Sequence, residues 1–285
     1  ANGQLRRLTR GPGIVLYLSL SRDGKTLAYF RARRGANDLV IRNLAADSET
    51  AFAPEPGPDY GFPAISPSGA TLAVGARMPG PRAMRPIFVA TIADGVTRTV
   101  GDDCGGRPKQ WIDERFLVIE RFGSRRNSIA VLDTASGAQS DLLVSAEHSV
   151  TNPRLSPDGR WIAFDAACPG GPPTVYVARF RSGEVIPRDD WTPVVRGASH
   201  PFWSADGSLL YYLPTVPSTE FRNAIRARRF DDGIDPSSAE ELTAFESTEM
   251  VVPVGMSGTV PVATPDQMIL VLGDFRGDVW MLRLE

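Results

Sequence analysis

Residues 154–180 read RLSPDGRWIAFDAACPGGPPTVYVARF. Two apolar runs, WIAFD (161–165) and TVYVARF (174–180), are short and show no recurrence at helical spacing. They read as strands covered on both faces. Ahead of the first run, Ser156-Pro157-Asp158-Gly159 is a turn signature: Gly accepts the positive φ of a tight hairpin, and Asp can bond to its own backbone. Between the runs, AACPGGPP (166–173) has the proline and glycine content of a loop.

The same unit recurs along the chain, as SLSRDGKTLAYFRARRGANDLVIRNL (19–44), AISPSGATLAVGARMPGPRAMRPIFVATI (64–92) and FWSADGSLLYYLPTVPSTEFRNAIRARRF (202–230). Weaker copies are QWIDERFLVIERFGSRRNSIAVLDT (110–134) and VATPDQMILVLGDFRGDVWMLRL (262–284). The first turn residues are Ser21, Ser66, Ile112, Ser156, Ser204 and Thr264, at intervals of 45, 46, 44, 48 and 60. A period in the mid-forties indicates a four-stranded unit repeated around an axis. The expected fold is all-β, a six-bladed β-propeller of four-stranded antiparallel blades forming a single domain over 1–285. Its blades are expected at about 14–53, 59–101, 106–144, 150–196, 199–246 and 250–285. The sixth copy ends at Glu285 on its third strand, so QLRRLT (4–9) is expected to complete the last blade and close the ring without an exposed sheet edge.

Units such as LSPDGRWIAF and FWSADGSLLYY resemble the TolB-type, WD-repeat-like β-propeller repeats over essentially the whole chain. The copies WIDERFLVI and TPDQMIL depart from that pattern by lacking its Gly. The resemblance implies a bacterial, periplasmic or otherwise extracytoplasmic module that contacts a protein partner, with a cytoplasmic location as the alternative. It also implies one arm of a longer polypeptide, since such propellers occur as appended domains in peptidases, kinases and regulators.

Composition narrows the partners. The formal net charge is -2, and 29 Arg stand against 2 Lys, Lys25 and Lys109, a skew better explained by genome bias than by nucleic-acid binding. Stacking aromatics are too sparse beside the arginines to argue for single-stranded nucleic acid. No apolar run is long enough for a membrane span. The expected partner is therefore a protein or peptide, acidic if the arginines act, or a small molecule in the channel mouth, with the chain itself monomeric.

In a four-stranded meander the loops between second and third strands share one face with the loops that lead into each blade. Tyr17, Phe62, Asn152, His200 and Val260 stand four residues before their turn landmarks, where the innermost strand reaches this top face. With Tyr60, Lys109 and His148 they form an expected rim around the axial mouth, which is either a binding site or a plain cap. Arg31, Arg33, Arg34, Arg77, Arg82, Arg85, Arg121, Arg125 and Arg126 fall in or beside the first three top-face loops, as an anion-binding surface or a solvated edge. Arg34, Arg85 and Arg126 are counted with the rim. Cys104 and Cys168 are candidates for one disulfide clipping neighbouring blades. A zinc site from these cysteines with His148 and His200 lacks the spacing of a zinc module.

Catalytic signatures are missing: there is no GxSxG, HExxH, GxxxxGK[ST] or complete EF-hand loop. FDDGID (230–235) and RGD (276–278) fall where turns are due. The expectation is a non-catalytic module without cofactor or metal. The alternatives are a lyase or hydrolase using His148 and His200 as acid and base, or a gating domain of a serine peptidase.

Overall fold

The structure, a computed structural model, describes residues 7–9, 14–33, 36–52, 59–77, 86–100, 106–123, 125–215, 221–222, 224–231, 240–247, 250–253, 262–263 and 267–274. Five four-stranded antiparallel sheets follow one another along the chain, each a meander in sequence order. Called a to d, the strands of blade 1 are Ile14–Leu20, Thr26–Arg33, Ala36–Asn43 and Ser48–Phe52. Blade 2 comprises Asp59–Ile65, Thr71–Arg77, Ile87–Thr91 and Thr97–Val100, and blade 3 comprises Gly106–Trp111, Phe116–Arg121, Ser128–Asp133 and Gln139–Leu143. Blade 4 runs through Ser149–Leu155, Trp161–Ala167, Thr174–Arg179 and Thr192–Arg196. Blade 5 is Ala198–Trp203, Leu209–Pro214, Ala224–Arg229 and Glu241–Glu246. The a strands of successive blades touch one another, which places them innermost.

The repeated turn works through its serine. In blade 4 the Ser156 hydroxyl donates to Asp158 Oδ1 at 2.5 Å and accepts from the Trp161 N–H at 2.9 Å, while the Arg160 N–H donates to Asp158 Oδ1 at 3.0 Å. Gly159 sits at φ +71, where a Cβ is strained. Ser21–Asp23 and Ser204–Asp206 repeat the arrangement at 2.6 Å each. Blade 3 has no serine there, and Asp113 alone accepts the N–H groups of Arg115 and Phe116, at 2.8 and 2.7 Å. The serine that WIDERF lacks is thus replaced by a carboxylate that satisfies the same donors.

Blades join through apolar layers and fixed polar clips. Ala64, Ile87 and Val89 of blade 2 pack on Trp111, Leu117 and Ile119 of blade 3. The largest layer, including Val118, Ile129, Leu143, Phe164, Tyr176 and Trp191, joins blades 3 and 4. Two residues before the turn landmark, Ser19 Oγ accepts the Ile65 N–H at 3.0 Å, and Gln110 Oε1 accepts the Leu155 N–H at 2.9 Å. One residue before it, the indoles of Trp111 and Trp203 donate backwards to the carbonyls of Ala64 and Arg154, at 2.8 and 3.0 Å.

Among the described residues the structure has five four-stranded blades and not the expected six, which corrects the sequence reading. Among the described residues of the sixth copy, Val262–Ala263 pairs with Met268–Ile269 only. Met250–Pro253 pairs instead with Phe221–Arg222, from the b-to-c region of blade 5, and with Gly273–Asp274. Residues 7–9 of the expected closing strand 4–9 are not in a strand, and 4–6 lie outside the described residues. The physical reason is legible in the sequence: Thr264-Pro265-Asp266-Gln267 lacks the glycine of the intact copies, and the described pairing on either side of it is only two residues long. Its apolar residues are still used. Val262, Ile269 and Val271 pack on Leu18, Leu27 and Tyr29 of blade 1, alongside Leu8. Met268, Leu270 and Leu272 pack on Phe202, Leu213 and Ile225 of blade 5.

Candidate binding site at the axial mouth

In each blade the a strand is broken by a bulge. Two residues face one across the ladder in blades 1, 2, 4 and 5, with register shifts between Leu16 and Ser19, Gly61 and Ala64, Thr151 and Arg154, and Ser199 and Phe202. The first extra residue is Tyr17, Phe62, Asn152 or His200, and all four sit at positive φ, +57, +55, +53 and +54. These are the positions that counting back four residues from the turn singles out. Left-handed backbone costs a residue with a side chain about 1–2 kcal/mol, more naturally borne by Asn and His than by Tyr and Phe. A glycine would remove that cost, so side chains are kept at four equivalent, strained positions next to the axis. In three of them the next residue is proline, Pro63, Pro153 or Pro201, which cannot donate to the ladder and fits only at such a break. In blade 3 Pro108 stands four residues before the landmark, and the register shift leaves Lys109, at the position of those prolines, as the extra residue.

The side chains divide the mouth into two halves. On blades 1 to 3, the Tyr17 and Phe62 rings meet at 4.2 Å between centroids. The Arg107 guanidinium lies between Phe62 and Phe122, 4.2 and 4.3 Å from their ring centres. Such cation–π contacts hold a guanidinium against an aromatic ledge.

On blades 3 to 5 the mouth continues inward into a charged cluster. Lys109 Nζ meets Glu120 Oε2 at 2.7 Å, with side chains only 5% and 4% exposed, and reaches Asn152 Oδ1 at 3.4 Å. Asp165 accepts three hydrogen bonds: from Thr151 Oγ1 at 2.6 Å, Asn152 Nδ2 at 3.0 Å and the His200 N–H at 3.0 Å. Glu120 and Asp165 occupy the fifth position of their b strands, so each carboxylate faces the bulge of the following blade. Burial pushes the Lys109 amine below its ordinary value, although Glu120 opposes the shift. Burial likewise pushes the Asp165 carboxyl up, against its three donors. Burial brings Arg154 down to about 10, with Glu120 and Asp165 opposing. Sequence reasoning passed over Glu120, Asp165 and Arg154. The available signal was an acid in the middle of an apolar strand, which is rarely buried without a partner.

The remaining expected residues are scattered. Tyr60 is in strand a of blade 2 with its side chain outside the described residues, as is that of Arg77; Val260, Arg34, Arg82, Arg85 and Cys104 lie outside them entirely. His148 lines a cavity of about 430 Å³ at the top of blade 4, together with Cys168, Thr174, Tyr176 and Arg196. Cys168 is exposed and free. His148 lies 3.3 Å from Ser145 Oγ and edges onto Trp191, whereas His200 Nδ1 lies 2.9 Å from Ser199 Oγ. Among the described residues no three His, Cys, Asp or Glu side chains gather to hold a metal. Of the arginine cluster, Arg31 pairs with Glu49 at 2.8 Å, and Arg33 and Arg121 pair with Asp38 and Asp141. Arg126 Nε donates to the Ala146 carbonyl at 2.6 Å. These guanidinium groups are engaged by neighbouring loops and strands rather than gathered on one anion surface. Among the described residues no helix is long and apolar enough to cross a membrane.

No protein-family model and no curated protein matches the chain. Solved structures do. A candidate TolB from Agrobacterium tumefaciens superposes with a TM-score of 0.71 at 19% identity, over 95% of this chain and 94% of that one. TolB from Acinetobacter baumannii gives 0.67 at 16% identity over 84% of this chain, which spans 57% of that protein's length. An oligogalacturonate lyase in complex with manganese gives 0.60 at 15% identity, over 92% of this chain and 75% of that one. Identities this low establish the shared propeller fold and leave function to the site.

Proposed function

We propose that the chain is a non-catalytic binding propeller that holds a protein or peptide partner at its axial mouth. One observation carries this reading: Tyr17, Phe62, Asn152 and His200 keep side chains at four equivalent backbone positions where glycine is easier. At Tyr17, Phe62 and His200 the strain supports a requirement beyond folding, whereas Asn152 also bonds Asp165 and Lys109 inside the fold. The mouth presents an aromatic ledge with a guanidinium on one side and polar groups on the other, the mixture that anchors peptide side chains. The TolB-like neighbours support a binding role and an extracytoplasmic location. A binding role is preferred to acid–base catalysis by His148 and His200, because His148 lies against Ser145 and Trp191 while the His200 imidazole lies against Ser199.

The test is capture from a bacterial envelope extract, with the native chain and with a Phe62→Ala, His200→Ala double variant as baits. A protein retained by the first and lost by the second, with both baits giving the same circular dichroism spectrum, is the expected result. Identical retention by both would remove the mouth as the binding surface.

A further inference from the structure

Position two before the turn landmark faces the following blade near the axis, where Ser19 and Gln110 each accept an N–H from it. In blade 4 that position is Arg154, which has only donors and cannot make the clip. The joint between blades 4 and 5 is made by the Trp203 indole donating to the Arg154 carbonyl, by the His200 N–H donating to Asp165 and by an apolar layer, contacts indifferent to the Arg154 side chain. Something other than blade joining therefore accounts for the guanidinium.

Its surroundings say what. Among the described residues its side chain makes one hydrogen bond, from Nη1 to the Pro153 carbonyl at 3.0 Å. The two nearby carboxylates are already occupied, Glu120 by Lys109 and Asp165 by Thr151, Asn152 and the His200 N–H. Both act on Arg154 through their charge alone, and burial still outweighs them. Arg154 is thus a deep cation, partly accessible, with unused donors in a planar fork.

We propose that Arg154 anchors a carboxylate of the peptide that enters the axial mouth, an acidic side chain or a chain terminus. A monoanion fits better than a phosphate dianion, because it matches the single positive charge that Arg154 brings, Lys109 being paired with Glu120. The fork of a guanidinium matches a carboxylate in two parallel hydrogen bonds. This assignment rests on the reading of the mouth as a peptide site, but its test involves no partner protein.

Side-chain ¹⁵N spectra of the arginine Nε–H groups are recorded while the native chain is titrated with sodium acetate, with chloride held constant, and separately with inorganic phosphate. The expected result is one protected resonance that shifts saturably with acetate and is absent from the spectrum of Arg154→Gln. Arg154→Lys, retaining charge without the fork, should bind acetate at least about tenfold more weakly, read from the backbone amides of Thr151, Asn152 and Leu155. No saturable response, a response that persists in Arg154→Gln, or saturation by phosphate but not acetate would each overturn the assignment. A failed capture experiment alongside saturable acetate binding would instead locate the error in the partner class.

Discussion

Single residues at the axis carry opposed demands, and substitutions there separate them. Lys109 and Glu120 are buried together, so Lys109→Met leaves Glu120 charged without its partner. The expected loss is about 3–5 kcal/mol in urea unfolding, whereas Lys109→Met with Glu120→Leu should recover most of it. A double variant no more stable than the single one would show that the pair is not coupled. Asp206 responds to pH. Hydrogen bonds from the Ser204 hydroxyl and from the Ser208 N–H and hydroxyl hold its carboxyl at about 2, below the ordinary 3.8. With the folded value depressed, its contribution is complete above pH 3.8 and is lost as the pH falls toward 2. The fall in urea midpoint between pH 5 and pH 2 should therefore be smaller in Asp206→Asn than in the native chain, and an equal fall would contradict this assignment.

Among elements, the a-to-b turn and the a-strand bulge behave differently under substitution. Gly159 has nothing within 4 Å of an added Cβ, so Gly159→Ala should cost only the left-handed strain, about 1 kcal/mol. A negligible change in urea midpoint would mean that the turn relaxes to another type. Trp203→Phe removes one inter-blade hydrogen bond and leaves the Arg154 carbonyl without that donor, for an expected loss of about 1–3 kcal/mol. The turns were legible in the sequence because Ser, Asp and Gly each meet a distinct local requirement. Counting back from them located Tyr17, Phe62, Asn152 and His200, yet their left-handed backbone was not readable, since no glycine marks it and only Pro63, Pro153 and Pro201 hint at a break. The Lys109–Glu120 pair was hidden for another reason: its partners are on different strands, joined by pairing rather than spacing. The partners of the arginine cluster were not legible because adjacency in sequence says nothing about the acids facing Arg31, Arg33 and Arg121 across neighbouring strands.

At the scale of the molecule, the repeat period correctly indicates propeller blades, and the blade count fails where the repeat is most degraded. The described residues of the sixth copy pack between blades 5 and 1, and its sequence lacks the glycine of the turn that marks the intact copies. Stability is expected to follow the apolar layers. Strands Phe116–Arg121 and Trp161–Ala167, whose buried residues flank the largest layer, should show the slowest native-state hydrogen exchange. Faster exchange there than in Thr26–Arg33 would refute this ordering. The central claim is that strained side chains at the mouth serve binding rather than folding, and Phe62→Gly tests it most directly. Glycine relieves the backbone at φ +55 while removing the ring from Tyr17 and Arg107. Affinity for the captured partner, measured by titration calorimetry beside the melting temperature, should fall by at least about tenfold while the melting temperature stays within about 4 °C. Unchanged affinity in a folded Phe62→Gly protein would contradict the account.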